Sequence, residues 1–143
     1  MVENLKVKNL IISKQAEKSE ECSKMIESAK ARKVKIIFLE AGQTLKIEKN
    51  ITFKIFWPEE ENQIAENALN NNSIVAKLIY GKFQMLFTGD IEQIAEEKIL
   101  EKYGDNLKST ALKVAHHGSN TSSIEEFIKA VQPKIALIGV RKK

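Results

Sequence analysis

SIVAKLIYGKFQMLFTGD, residues 73–90, is the stretch that decides the fold of this chain. Two apolar runs, 74–80 and 83–87, flank Gly81-Lys82, a pair typical of a two-residue turn. The stretch therefore predicts a β-hairpin. Thr88-Gly89-Asp90 follows it and leads into a predicted helix over 91–104, which ends at Gly104. One face of that helix is apolar and is expected to point inward: Ile91, Ile94, Ala95, Ile99 and Leu100.

Toward the N-terminus, apolar and helical patterns alternate. Residues 7–13 and 34–40 predict strands, and 18–33 predict a helix with Ser19 as its N-cap. Residues 41–58 predict two antiparallel strands that turn at Glu48-Lys49-Asn50 and end at Pro58. The polar residues 59–72 predict a loop with some helical character.

Toward the C-terminus, residues 110–118 begin as a short strand, 123–133 predict a helix and 134–140 a final strand. Phe127, Ile128 and Val131 are expected to face inward. The order mixes hairpins with strand–helix–strand units, which predicts an α/β fold with a mixed sheet covered by helices. All 143 residues fit within a single domain.

Composition excludes several classes of protein. Hydrophobic residues are 43% and charged residues 29%, as in an ordinary globular domain. No run approaches the roughly 20 apolar residues of a membrane span. Cys22 is the single cysteine, which excludes an intramolecular disulfide and a cysteine-based zinc site. Because the lysines behind the net charge of +4 are spread along the chain, we expect solvated surface rather than a nucleic-acid face.

Two strand ends carry polar residues that suit chemistry. Asp90 follows the hairpin, and its simplest interpretation is the N-cap of the next helix, with Gln93 completing a capping box. The second strand end carries His116-His117-Gly118-Ser119. Because adjacent side chains on a strand point to opposite faces, one histidine would be structural and the other functional.

The residues after the histidines predict another helix start. Ser122 or Ser123 is expected to cap the helix, with Glu125 or Glu126 completing a capping box. The amides of residues 121–123 would then open a helix N-terminus suited to a phosphate oxygen. Because strand ends on one edge of a sheet build a site, Asp90 and the histidines would suit zinc or manganese. Metal-bound hydroxide at such a site attacks phosphorus or carbonyl carbon.

NNNSIVAKLIYGKFQMLFTGDIEQIAEEKIL followed by ALKVAHHGSNTSSIEEFIKAVQPKIALIGV resembles the metallo-β-lactamase-like domain of ComEC-family competence proteins, membrane proteins of DNA uptake. The family pattern is N-x-x-S-[IV]-V, an apolar hairpin, T-G-D, a helix, L-K-V-x-H-H-G-S-x-x-S-S, a helix and P-x-x-A-[IL]-I. The match is strong over residues 70–140 and less distinctive over 1–69.

The resemblance implies an αββα sandwich with a two-metal hydrolase site that holds zinc or manganese. Asp90 matches the bridging carboxylate. His116 and His117 match the pair that supplies a late metal ligand and a neighbouring substrate contact, without dividing the two roles between them. Asn72 and Ser73 match a structural element. The residues beside the substrate or its phosphate are then expected to be Ser119, Asn120 and Thr121.

One part of the superfamily pattern is missing. The early H-x-H-x-D-H motif, which supplies most metal ligands, is not found, and no histidine precedes His116. We therefore expect a partial metallo-β-lactamase-like sandwich that lacks the N-terminal metal-motif half, with little or no metal bound to this chain alone. The expected partner is the remainder of a longer polypeptide, a polytopic membrane protein. The resemblance places such a soluble domain on the extracytoplasmic side of the cell membrane.

Three functions are compared. The first is part of a metal-dependent hydrolase domain, a phosphodiesterase or nuclease of DNA uptake, inactive as the isolated chain. The second is a non-catalytic binding or assembly module of the same fold that has lost its metal site. The third is an unrelated α/β protein in which the TGD and HHGS residues are caps and loop contacts. Nucleic acid is the substrate considered for the first, and a homodimer that covers an exposed sheet is a further expectation.

Overall fold

The computed structural model describes residues 5–140 of this chain. In chain order the elements are β1 (Asn9–Ile12), α1 (Glu20–Ala31), β2 (Lys35–Phe38), β3 (Thr44–Glu48), β4 (Ile51–Trp57), α2 (Ala68–Asn71), β5 (Val75–Tyr80), β6 (Phe83–Phe87), α3 (Gln93–Tyr103), β7 (Ala111–Lys113), α4 (Glu125–Val131) and β8 (Ile135–Leu137). Single 3-10 turns span Lys14–Lys18, Gly104–Leu107 and Ala115–Gly118. Each predicted helix and strand is present, and all but β6 have shorter bounds than predicted.

The predicted hairpin is confirmed and lies at the centre of a six-stranded sheet. β5 pairs antiparallel with β6, and Tyr80 lies opposite Phe83 across the turn at Gly81-Lys82. The strand order is β3-β4-β5-β6-β7-β8. Pairing is antiparallel from β3 to β6 and parallel from β6 to β8, so the predicted mixed sheet is confirmed. The parallel pairs require crossovers, which α3 and α4 provide.

Two helices cover one face of this sheet. Side chains from the sheet and from α3 and α4 form the main core, in which Trp57, Leu86 and Leu112 meet Ile99 and Phe127. Each is at most 2% exposed, so each contributes roughly 1.5–3 kcal/mol by burial. The inward positions predicted for Phe127 and Val131 are confirmed, because both are buried in this core.

The other face of the sheet is covered at one end by a second, smaller sheet. β1 and β2 pair in parallel, and α1 contacts β2. Leu39 at the end of β2 packs with Ile55 of β4 and Ala76 of β5 in a separate apolar cluster. Ser19 is the N-cap of α1 as predicted, because its side chain accepts a hydrogen bond from the Cys22 amide at 3.4 Å.

Near β8 the same face is open. Ile135 and Leu137 are 52% and 50% exposed, and Ile138 and Val140 are exposed after the strand ends. This apolar surface agrees with the expectation that a sheet face or edge would lack cover. No helix within residues 5–140 is long and apolar enough to cross a membrane.

Two predicted helix starts are wrong. α3 begins at Gln93 with Glu92 as its N-cap, and Asp90 lies before the helix and does not cap it. Gln93 does not complete a capping box, because it is the first residue of α3 instead of the third, and its side-chain amide donates to Glu97 at 2.7 Å. α4 begins at Glu125 with Ile124 as N-cap, so neither predicted serine occupies that position.

A buried carboxylate replaces the predicted serine cap of α4. Glu96 is fully buried on α3, and its two oxygens accept hydrogen bonds from the amides of Ser123 at 2.8 Å and Ile124 at 2.9 Å. The buried face of α3 is centred on Ala95 and Ile99, which turns Glu96 toward α4. Ile94 is 36% exposed, so its predicted inward position is wrong.

Replacing Glu96 with alanine is expected to lower the free energy of unfolding by about 2–4 kcal/mol, because two buried amides lose their acceptor and a small cavity forms. Urea denaturation followed by far-UV circular dichroism measures the change. Glu101→Ala is the matched control, because Glu101 is exposed on the same helix, and it should shift the value by no more than about 0.5 kcal/mol. Equal effects of the two substitutions would contradict the capping role.

The pH dependence of stability provides a second test of Glu96. Burial raises the pKa of its carboxyl above the ordinary value near 4.5, although the amides of Ile124 and Ser123 act in the opposite direction. The folded state therefore binds this proton more tightly than the unfolded state. The stability of the wild type relative to Glu96→Gln should fall as pH rises from about 4.5 through the raised pKa, and then level off. A difference that rises with pH in that window would contradict the burial.

Candidate functional site

The Thr88-Gly89-Asp90 turn is held in place at the C-terminal end of β6. Thr88 is fully buried, and its hydroxyl donates to the carbonyl of Lys113 at 2.6 Å. Gly89 has a left-handed backbone with φ of +58°, and a Cβ atom there would lie 2.5 Å from the Cβ atom of Ser73. Position 89 therefore requires glycine for two reasons: the left-handed backbone conformation and the lack of space for a side chain.

The histidines lie in a tight turn rather than on a strand. β7 ends at Lys113, and the turn Ala115–Gly118 follows, with left-handed φ values of 44° at His116 and 55° at His117. The prediction that residues 110–118 begin as a short strand is confirmed by β7, but both histidines follow the strand, so strand alternation does not set the directions of their side chains. A left-handed backbone at two consecutive non-glycine residues is strained, which makes the turn a candidate for function.

Asp90 and His117 face each other across this edge of the sheet. Oδ1 of Asp90 lies 3.7 Å from Nε2 of His117 and 3.5 Å from Nζ of Lys113. Lys113 is fixed, because its ammonium also donates to the carbonyl of Gly89 at 2.7 Å. The sequence prediction that a carboxylate and an imidazole converge at neighbouring strand ends agrees with this geometry.

A backbone contact sets the tautomer of His117. Its Nδ1 lies 2.6 Å from the carbonyl oxygen of Gly139, which only accepts hydrogen bonds, so Nδ1 carries the proton. Nε2 is the ring nitrogen that faces Asp90. A ring nitrogen oriented in this way by a backbone carbonyl is the usual arrangement of a histidine that binds a metal.

His116 belongs to a different set of contacts. Its Nδ1 lies 3.4 Å from Oε1 of Glu92 and 3.5 Å from the hydroxyl of Thr121. The side chain of His116 is 29% exposed, compared with 60% for His117. Of the two histidines, His117 is therefore the one that faces Asp90, and His116 packs toward Glu92.

Glu92 joins the histidine turn to the segment before the hairpin. Its carboxylate accepts hydrogen bonds from the side chains of Asn67 at 2.8 Å, Asn71 at 3.2 Å and Thr121 at 3.2 Å. The Glu92 amide in turn donates to Asn71 at 2.9 Å. The hydrogen bond from Asn67 is the main cause that lowers the pKa of Glu92, and those from Thr121 and Asn71 act in the same direction. The carboxylate is therefore held in its charged form.

The predicted substrate loop lies beside this cluster. The Ser119 hydroxyl is 3.0 Å from that of Thr121 and accepts from the Thr121 amide at 3.3 Å, whereas Asn120 is exposed. The amides that lead into α4 do not form the predicted phosphate position, because Glu96 already accepts hydrogen bonds from Ser123 and Ile124.

Asn72 and Ser73 have structural contacts. Asn72 is fully buried, and its side-chain amide bonds both the amide and the carbonyl of Ile64, at 3.0 and 2.8 Å. Ser73 packs against Gly89. These contacts fix the chain immediately before the hairpin.

The described residues supply fewer potential ligands than a catalytic metal site needs. Asp90 and His117 offer two ligands that converge, and within residues 5–140 no group of three or more candidate ligand side chains exists. A catalytic zinc site normally has three protein ligands and a water molecule. The described residues alone therefore do not fit a complete catalytic metal site, and His116 faces Glu92 instead of completing it.

Sequence reasoning missed four residues that shape this site. Lys113 forms an ion pair with Asp90, and Glu92 faces His116. Asn71 in turn accepts a hydrogen bond from the Glu92 amide. Gly139, which orients His117, was also missed. Glu92 follows Asp90 by two positions, but nothing in the sequence spacing distinguishes it from the exposed glutamates of the same helix.

Gly89→Ala is expected to destabilise the chain by about 2–4 kcal/mol, because the left-handed backbone disfavours alanine and the added methyl group clashes with Ser73. Ser73→Gly should recover part of this loss by removing the side-chain atom that the new methyl group would meet. A double-mutant cycle of unfolding free energies checks the coupling. Strictly additive effects would contradict the close approach of the two residues.

No protein-family model matches this chain. The chain is 33% identical over 142 residues to ComE operon protein 3 of Bacillus subtilis (strain 168). The matched region covers 99% of this chain and 18% of that protein. The chain is also 39% identical over 87 residues to competence protein ComA of Neisseria gonorrhoeae. This matched region covers 61% of the chain and 12% of that protein.

A further relative is uncharacterized protein YcaI of Escherichia coli (strain K12), 42% identical over 89 residues, which covers 62% of this chain and 11% of that protein. The chain thus spans less than a fifth of the length of each of these relatives. The competence names among them support the placement of this chain in a competence-related family.

Proposed function

We propose that this chain is the C-terminal part of a metallo-β-lactamase-like, metal-dependent hydrolase domain of the phosphodiesterase or nuclease type, which acts in DNA uptake. One observation carries the proposal. Asp90 and His117 follow two neighbouring parallel strands, and Oδ1 of Asp90 lies 3.7 Å from Nε2 of His117. A carboxylate oxygen and a ring nitrogen that face each other across such a gap suit a cation between them.

The side chains around this gap have complementary tasks. Asp90 and His117 would hold a divalent ion, and oxygen and imidazole ligands suit zinc or manganese. A bound ion of this kind supplies a hydroxide nucleophile at neutral pH. Lys113 places a fixed positive charge 3.5 Å from Asp90, where it would attract an anionic phosphodiester. Ser119, Asn120 and Thr121 are the proposed substrate contacts in the adjoining loop.

A complete site requires ligands from elsewhere in a longer polypeptide. Two converging ligands are fewer than the three that a catalytic zinc needs. We propose that the remainder of the domain supplies an H-x-H-x-D-H-like motif and covers the open face beside β8. The arrangement of α1, the small sheet, the large sheet and then α3 with α4 supports an αββα sandwich as the parent fold. Relatives several times longer than this chain support such a remainder.

The longer polypeptide also bears on location. We propose that the domain is tethered to a polytopic membrane protein and lies on the extracytoplasmic side, as the resemblance to ComEC-family proteins implies. Incoming nucleic acid would then be its substrate.

A non-catalytic binding or assembly module is the second candidate function. The observation that favours it is the ion pair between Asp90 and Lys113, because a lysine can neutralise the carboxylate without any metal. In that case the turn at His116 and His117 would retain a structural role through Glu92 and Gly139.

The two candidates differ in the metal content and activity of the longer polypeptide that carries this chain. For the hydrolase, Asp90→Asn and His117→Ala should each reduce bound zinc or manganese and slow hydrolysis of bis(p-nitrophenyl) phosphate by at least about 100-fold, since each removes a ligand. Asp105→Asn is the matched control, because Asp105 is the other aspartate of the chain and is exposed. Elemental analysis and a colorimetric assay give the two readouts.

Equal metal content in wild type and Asp90→Asn would contradict the ligand assignment. A wild-type polypeptide with neither metal nor activity would favour the binding module. The coding sequence upstream of Met1 provides an independent check, because an H-x-H-x-D-H-like motif in frame is expected there for the hydrolase.

A further inference from the structure

A groove lined by lysines lies on the sheet edge opposite Asp90 and His117. It consists of two adjoining cavities of about 670 Å³ and 260 Å³, which share Gln84 and Lys108 as lining residues. We call it the lysine groove, after the five lysines that line it: Lys54, Lys77, Lys82, Lys108 and Lys134. Gln84, Thr110 and Lys134 lie at or just before the N-terminal ends of β6, β7 and β8, whereas Asp90 and His117 follow the C-terminal ends of β6 and β7.

Lys77 is the buried member of the groove. It is 6% exposed, and its ammonium donates to the carbonyls of Asn106 and of Lys108, the latter at 3.1 Å. The same ammonium lies 5.4 Å from the centre of the Phe56 ring. These neutral contacts orient the charge toward one wall of the groove but do not neutralise it.

Lys54 adds a second charge directly opposite. It is the cross-strand partner of Lys77 in the β4–β5 pair. Like charges at directly opposed positions destabilise a sheet, so this pair is unfavourable for the chain by itself. Burial lowers the pKa of Lys77, and the neighbouring charge of Lys54 lowers it further. An anion in the groove would relieve both costs.

Carboxylates do not balance these lysines. Among the ion pairs formed within residues 5–140, none involves a lysine of the groove. Asp105 is the single acidic residue lining the two cavities. Buried or clustered charges are normally paired, and a concave surface of one sign concentrates counter-ions. The groove is therefore an anion site in which the ligand would supply the missing negative charge.

We propose that the lysine groove binds a single strand of nucleic acid through its phosphates. Two adjoining cavities with lysines along both suit a linear ligand with repeated charges better than one small anion. Tyr103 also lines the larger cavity, but its ring packs against Phe56 with 4.8 Å between the ring centroids, so the proposed contacts are to phosphates rather than to stacked bases. This proposal does not rest on the hydrolase function, because the groove lies at the other edge of the sheet and needs no metal.

The lysines of the groove are spread along the sequence. The fold brings them together from β4, β5, the hairpin turn and the segments that lead into β7 and β8. Four of the five are exposed, as expected for solvated surface, and Lys77 is buried.

Fluorescence anisotropy with a labelled single-stranded oligothymidylate tests the proposal on the full chain, in buffer that contains a chelator so that metal chemistry plays no part. The groove variant is Lys54→Gln with Lys108→Gln. The control variant is Lys30→Gln with Lys35→Gln, which removes the same charge from exposed positions on α1 and β2. Far-UV circular dichroism checks that both variants keep the fold.

The groove variant is expected to bind about tenfold more weakly than wild type at moderate salt, whereas the control variant should differ from wild type by no more than about twofold. The slope of log affinity against log salt should fall by about 1.4 in the groove variant, because two phosphate contacts are lost. Equal weakening by both variants, no weakening by either, or binding of inorganic tripolyphosphate without binding of the strand would each overturn the proposal.

Discussion

The parallel pairing of β6 with β7 is the constraint on which both edges of the sheet depend. Strands β3 to β6 form an antiparallel meander, and the chain then crosses over through α3 so that β7 runs in the same direction as β6. Parallel strands place like ends at the same edge. Asp90 and His117 therefore meet at one edge, and residues that begin β6, β7 and β8 line a groove at the other. A hairpin in place of α3 would separate both sets.

Two glutamates hold the loop that carries the histidines: Glu92, the N-cap of α3, and Glu96 within that helix. Glu92 and Glu96 lie four positions apart, hence on one side of the helix. Glu92 bonds Thr121 and faces His116, and Glu96 bonds the amides that enter α4. Both glutamates are more than nine-tenths buried. Their carboxylates provide acceptors that the backbone of this loop lacks, so the loop keeps one conformation without regular secondary structure.

Hydrophobic periodicity was sufficient to predict the order and type of the elements. The hairpin, the three longer helices and the Gly104 helix end all follow from apolar spacing and from turn residues. The parts that could not be predicted depend on contacts between distant segments. Glu96 has the sequence pattern of an exposed residue, and its partners lie 27 and 28 positions away. The left-handed turn at His116 has only Gly118 as a local signal, because two non-glycine residues adopt the uncommon backbone.

The candidate site divides in the same way. Asp90 and the histidines could be predicted because they follow apolar strands, and the strand ends then bring them together. Which histidine faces Asp90 could not be predicted, because that choice depends on the Gly139 carbonyl and on Glu92. Similarly, the five lysines of the groove come from separate segments, so no run of basic residues marks them in sequence.

The free edge of β8 has a consequence for the behaviour of this chain in solution. Within residues 5–140, β8 pairs on one side only, with β7, and Ile135 and Leu137 are half exposed. Unpaired backbone groups beside apolar side chains are a template for strand addition and thus for aggregation. Pro133 and Lys134 stand directly before the strand, where a residue without an amide hydrogen and a charged residue act as gatekeepers. Pro133 and Lys134 would therefore oppose the addition of another strand beside β8.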